Sequence, residues 1–185
     1  MGKRSDLRRS RGGTPRFDWQ APAAQCLVWG GLILLFALWQ AAPRGFPEIG
    51  GGRPLILIPL TTAVAMFTGP VGGGAAGAAA GLLWDINASR LFGFNGLTLM
   101  ALGTAAGLLV RLLLRNNPLS AGLLAVGATL AQGLFDWLIN YLLPGRPGAG
   151  LLLVRTLLPN ALYTCLLALP VYWLVRWIAK KTHGK

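Results

Sequence analysis

"GGGAAGAAAGLLWDINASRLFGFN", residues 72–95, decides how this chain is read. Its first six residues, Gly72 to Gly77, match G-x-G-x-x-G letter for letter. A dinucleotide loop of that pattern follows a strand, opens a helix and is answered by an acid about 20 residues later. Here the flanks are long apolar runs, no Lys is present for a phosphate loop, and Asp85 arrives too early. The helical period accounts for the glycines better. Gly73, Gly77 and Gly81 lie four apart with Ala76 and Ala80 beside them, so one face of a helix is nearly bare backbone. In lipid, faces of small residues let helices approach closely, and Gly103 and Gly107 repeat the pattern in the next segment. These glycines are expected to serve helix packing.

Outward from this stretch the composition is that of a membrane protein. Of 185 residues, 54% are hydrophobic and 12% charged, where a soluble domain carries about a quarter. The net charge of +12 raises nucleic acid as a partner, but the basic residues sit in tails and short loops rather than on one folded face. They read as membrane-flanking charge, and no nucleic-acid partner is expected. Cys26 and Cys165 lie in apolar segments without metal-ligand spacing and read as small buried residues. The single histidine, His183, is in the C-terminal tail, so no metal site or histidine-based catalytic site is expected, and no cofactor.

Residues 1–20 read as a basic cytoplasmic tail, 21–178 as a transmembrane domain and 179–185 as a second basic cytoplasmic tail. The apolar run from Ala21 to Ala42 is longer than the roughly 7 to 15 residues of a secretory h-region, so it reads as a first membrane helix. Six apolar segments follow the chain: 22–42, 54–69, 70–86, 96–114, 119–143 and 151–178. The second and third are short for a span of about 20 residues, and the break at Gly69-Pro70 suits a tight helical hairpin, with one long kinked helix as the alternative. Basic residues orient the chain. With both ends inside, the inner side collects Lys3, Arg4, Arg8, Arg9, Arg11, Arg16, Arg111, Arg115, Arg176, Lys180, Lys181 and Lys185. The outer side keeps only Arg44, Arg53, Arg90, Arg146 and Arg155, which favours six spans with both termini cytoplasmic. The outer loops are short, so activity outside falls to loop rims, a cavity or a partner held in the membrane.

Polar side chains within membrane segments are expensive and mark candidate sites. Gln132, Asp136 and Asn140 form one stripe at i, i+4 and i+8, and Thr156, Asn160 and Thr164 form another. Asp136 and Arg155 fall at similar depth on either side of the loop near Pro144 to Gly148, which predicts an ion pair. A lone charge there would cost several kcal/mol. Asp85 and Arg90 lie at the same outer end and are candidates to join the cluster. The same residues serve equally for fixing helix packing or for holding a solute or partner. Two aspartates also raise an intramembrane aspartic peptidase, whose carboxylates share a proton. "GAAAGLLWDINASR" looks superficially like a segment of lipoprotein signal peptidases, yet "FDWLIN" lacks that family's Asn-Ala-Asp arrangement. An arginine at matching depth would also suppress proton sharing.

"AGLLWDINASRLFGFNGL" resembles the hallmark of the MreD family of bacterial rod-shape-determining membrane proteins, through Gly81, Leu82, Asp85, Ser89, Gly93 and Asn95. The ending "RTLLPNALYTCLLALPVYWLVRW" resembles that family's final helix, with Pro159, Asn160, Ala161, Leu162, Pro170 and Tyr172 in place. The resemblance covers roughly residues 54–178. It implies an all-α, six-helix bundle in the bacterial plasma membrane. It also implies a non-enzymatic role in cell-wall elongation and rod shape beside an MreC-like single-span partner and the peptidoglycan synthesis complex. The family is also similar in fold to substrate-binding subunits of energy-coupling-factor vitamin transporters, which supplies the alternative reading of a vitamin-binding subunit.

Overall fold

The computed structural model describes residues 20–42, 55–88, 93–114, 116–145 and 149–183. Lipid offers no partner for backbone N–H and C=O groups, so apolar segments of this length satisfy them internally as helices. Five helices result: α1 (Gln20–Ala41), α2 (Leu57–Ala88), α3 (Phe94–Leu112), α4 (Pro118–Trp137) and α5 (Ala149–His183). A π-helical turn, Leu138–Leu142, prolongs α4. No strand occurs among the described residues. Pro118 sits in the first turn of α4 behind an extended Asn117, where a residue without N–H costs nothing. Among the described residues, four stretches are long and apolar enough to cross a membrane: Leu57–Ile86, Phe94–Leu112, Pro118–Asn140 and Pro159–Lys181; Gln25–Ala41 is a shorter apolar helix. Their outward side chains are large and apolar, among them Leu27 and Leu38 on α1, Leu97 and Leu112 on α3, Leu123 on α4 and Leu166 on α5. A soluble domain rarely exposes apolar surface on this scale, whereas a multi-pass membrane protein turns it to lipid.

The long α2 is not a single rod. At Gly69 the backbone takes φ 80°, ψ −171°, a region essentially reserved for glycine, and Pro70 opens the next arm. A Cβ on Gly73 would strike Ala65. A Cβ on Gly103 would strike the Gly73 carbonyl oxygen and stand 3.1 Å from Thr61 Cγ2. Residues 61 and 73 would lie about 18 Å apart along a straight helix, at 1.5 Å per residue. Both border Gly103 because the chain reverses at Gly69 and arms 57–68 and 70–88 lie side by side.

The first arm is the hub of the bundle. Every residue from Ile56 to Met66 is buried, and α1, α3, α4 and α5 all touch α2. One core cluster joins Trp29 and Ile33 of α1 to Leu60 and Val64 of the hub and to Val171 and Val175 of α5. A second joins Met66 to Ala106, Ala121, Leu124 and Tyr172. The hub is also pinned at its start, where Leu57 N–H donates to Gln40 Oε1 (3.2 Å). Cys26, expected to be buried, is exposed on α1, because the helix turns Trp29, Ile33, Phe36 and Ala37 inward instead; Cys165 is half-buried.

Candidate functional site

The second arm of α2 and α3 are joined by an antiparallel zipper with a four-residue step. A Cβ on Gly81 would strike the Asn95 carbonyl, one on Gly77 the Leu99 carbonyl, and one on Gly73 the Gly103 carbonyl. A Cβ on Gly107 would stand 2.6 Å from the Gly69 carbonyl carbon. Each glycine thus admits the neighbouring backbone where a methyl group stands elsewhere. This close approach is what the spacing of Gly73, Gly77, Gly81, Gly103 and Gly107 provides. Leu82 closes the upper end by lying over Gly96.

Asp85 sits one turn above Gly81 and is 4% exposed. Gly93, at the N-cap of α3, is left-handed (φ 93°) and has no side chain to cap the helix. Asp85 does so from the neighbouring helix. Its Oδ2 accepts from Gly93 N–H (2.9 Å) and Gly96 N–H (3.1 Å). Its Oδ1 accepts from Asn95 Nδ2 (2.8 Å) and, at greater length, Asn95 N–H (3.3 Å). The orphan donors of a helix start are thereby satisfied by a carboxylate whose charge suits the positive end of the helix. Asn95 extends the network, since its Oδ1 accepts from Gln132 Nε2 of α4 (2.6 Å). Asp85, Asn95 and Gln132 therefore tie α2, α3 and α4 together.

Asp136 and Asn140 form a separate pair on α4 and its π turn. Asn140 Nδ2 donates to Asp136 Oδ1 (2.9 Å) and to the Asp136 carbonyl (3.0 Å). Ser89 and Arg90 lie outside the described residues, as does the Arg155 side chain, and the expected Asp136–Arg155 pair with it. Among the described residues no group of three or more His, Cys, Asp or Glu is placed to hold a metal ion.

Inside the bundle a third set stands apart. Gln132 Oε1, Asn160 Oδ1 and Thr164 Oγ1 are buried without a hydrogen-bond partner, as is Trp29 Nε1 on α1. Thr164 differs here from Thr61, Thr68, Thr98, Thr104 and Thr129, whose hydroxyls all donate to the carbonyl four residues back. Tyr172 sets the depth of these atoms, because its hydroxyl donates to Asn116 Oδ1 (3.1 Å) across the α4–α5 seam. From that level, at 1.5 Å per residue, Thr164, Asn160 and Gln132 lie about 12, 18 and 24 Å along the bundle. Thr164 shares the buried face of α5 with Ala168, Val171, Tyr172 and Val175, and the half-buried Asn160 lies one turn before it. Pro159 and Pro170 on the same helix each leave a carbonyl four residues back without its usual donor. Asn116, which also donates to the Met66 carbonyl (3.4 Å), was not singled out by sequence; the only signal is its place in the turn before Pro118.

Compared with family models, curated proteins and solved structures, the chain matches none, and its functional reading rests on these residues.

Proposed function

We propose that the chain is a non-enzymatic membrane scaffold of the bacterial cell-wall elongation machinery, acting in rod shape by holding the membrane helix of an MreC-like partner. In this reading it resides in the plasma membrane with six spans, the two arms of α2 counted separately, and both termini cytoplasmic. One observation carries it. The residues of the MreD-like motif, Gly81, Asp85, Gly93 and Asn95, are the ones that join α2 to α3. A motif spent on rigid assembly suits a protein whose product is a shaped surface. The state of Asp85 supports the absence of peptidase chemistry, since its two oxygens accept four hydrogen bonds and use the lone pairs a shared proton needs.

Co-purification after mild detergent extraction tests the proposal. An MreC-like chain is expected to be retained, and the retained pair should dissociate when the lipid-facing sides of the bundle are altered. The unpartnered Gln132 Oε1, Asn160 Oδ1 and Thr164 Oγ1 favour a second reading, a vitamin-binding subunit of an energy-coupling-factor transporter. Buried acceptors call for donors, which the amides and hydroxyls of a vitamin supply. Retention of a vitamin without any MreC-like chain would decide for that reading. A reporter fused after Lys185 that reads as extracytoplasmic would overturn the topology.

A further inference from the structure

The outward face of α5 changes chemistry in a fixed order. Leu162, Leu166, Leu169, Trp173 and Trp177 are exposed at steps of four, three, four and four residues, one stripe of the helix. Lys180 and Lys181, also exposed, continue it. Three leucines, two indoles and two lysines follow the sequence of layers met on leaving a bilayer: hydrocarbon, interface, headgroups. The cations are held against the indoles. Lys181 Nζ stands 3.8 Å from the centroid of the Trp177 ring, and Arg176 Cζ stands 5.7 Å from that of Trp173. Such contacts orient a cation while leaving its hydrogen-bond donors open to an anion.

Among the described residues, the surrounding charge has one sign. Tyr172 is bonded to Asn116, and Arg111 Nε lies 3.7 Å from the Cβ position of Gly69, so the α2 reversal, the end of α3, the start of α4 and the end of α5 share one end of the bundle. The described carboxylates, Asp85 and Asp136, belong to the opposite end. Arg111, Arg176, Lys180 and Lys181 thus meet no carboxylate among the described residues.

We propose that Trp173, Arg176, Trp177, Lys180 and Lys181 form a binding site for the phosphate headgroup of an anionic phospholipid in the adjacent leaflet. The indoles would seat the glycerol region, and the two lysines and Arg176 the phosphate. This site is independent of whether the bundle binds an MreC-like partner or a vitamin.

The test uses the full chain in nanodiscs of phosphatidylcholine with a minority of phosphatidylglycerol, with co-purifying lipid counted by native mass spectrometry after release. The wild type should enrich phosphatidylglycerol over phosphatidylcholine. K180Q/K181Q should lose about tenfold or more of that preference, since each cation near an anionic surface contributes roughly fivefold. K180R/K181R should retain it. W173L/W177L keeps the charge but should lose selectivity at the headgroup. Circular dichroism of each variant confirms that the helices persist. Equal loss in R8Q/R9Q would make the effect one of net charge and overturn the site. So would unchanged enrichment in K180Q/K181Q, or displacement of the lipid by millimolar glycerol phosphate, which would indicate a soluble phosphate ligand instead.

Discussion

Replacing Asp85 by Asn asks whether this carboxylate is a cap or a member of a reactive site. The two side chains have the same shape, but the amide puts one oxygen and one NH2 where two oxygens stood. In either orientation, two of the four donors (Gly93 N–H, Gly96 N–H, Asn95 N–H and Asn95 Nδ2) then face a donor. A buried donor left unpaired costs about 1–3 kcal/mol. Gly93 is half-buried, so water can restore part of its loss, whereas Asn95 and Gly96 are buried. Removing the charge from the start of α3 adds about 0.3–1 kcal/mol. The expected destabilisation is therefore about 3–5 kcal/mol for Asp85→Asn, with Asp85→Ala at the upper end of that range or beyond it. Folded proteins are stable by only about 5–15 kcal/mol, so the loss is large enough to measure. SDS-driven unfolding in mixed micelles, followed by far-ultraviolet circular dichroism and tryptophan fluorescence, reads it. A cycle with Asn95→Ala should show coupling above about 0.5 kcal/mol, because the two residues share a bond. If Asp85→Asn unfolds with the wild type and shows no coupling to Asn95, the capping argument is wrong. Normal stability with lost cell shape would make Asp85 a functional rather than a structural group.

Further substitutions separate close packing from open surface. Gly77→Ala should cost about 2–3 kcal/mol by forcing α2 from α3, while Gly127→Ala, whose Cβ would meet nothing within 4 Å, should be neutral or gain up to about 1 kcal/mol. The same unfolding assay measures both. Gly69→Ala should lose about 1–3 kcal/mol in the same assay from backbone conformation alone. Thr164→Val removes a buried hydroxyl without a partner and should stabilise the bundle by about 1 kcal/mol; if it instead lowers stability and abolishes vitamin retention, the transporter reading gains. Tyr172→Phe should cost about 0.5–1.5 kcal/mol through its bond to Asn116.

Much of the helical architecture was legible because hydropathy and helical period are local properties. The apolar segments coincide with helices to within a few residues, and the glycines at 73, 77, 81, 103 and 107 are spaced as their zipper needs. Asp85 was harder to read. Its depth made it, with Arg90, a candidate for the cluster of Asp136 and Arg155, whereas the partners seen among the described residues are donors 8 to 11 residues downstream, reached only after the chain turns at Gly93. A capping carboxylate supplied by another helix leaves no mark within its own helix. Gln132, grouped with Asp136 by its four-residue spacing, instead reaches across to Asn95, because a long amide bridges helices where periodicity describes only one. The Asn116–Tyr172 bond spans 56 residues and depends on how α4 and α5 lie against each other.

The reversal at Gly69 bears on how the protein reaches its membrane. The arm from residue 57 to 68 rises about 18 Å, well short of a hydrocarbon layer about 30 Å thick. It cannot be handed to lipid as a stable intermediate, and its partner is the next stretch to be synthesised. Insertion of the two arms together, as one hairpin, removes that difficulty. Selection should fall on the halves unequally. Lipid-facing positions such as Leu27 or Leu123 need only be apolar, whereas the buried arm from Ile56 to Met66 meets protein on every side and admits few alternatives. A saturation-mutagenesis map of the gene would show its least permissive apolar segment in the piece that touches the membrane least.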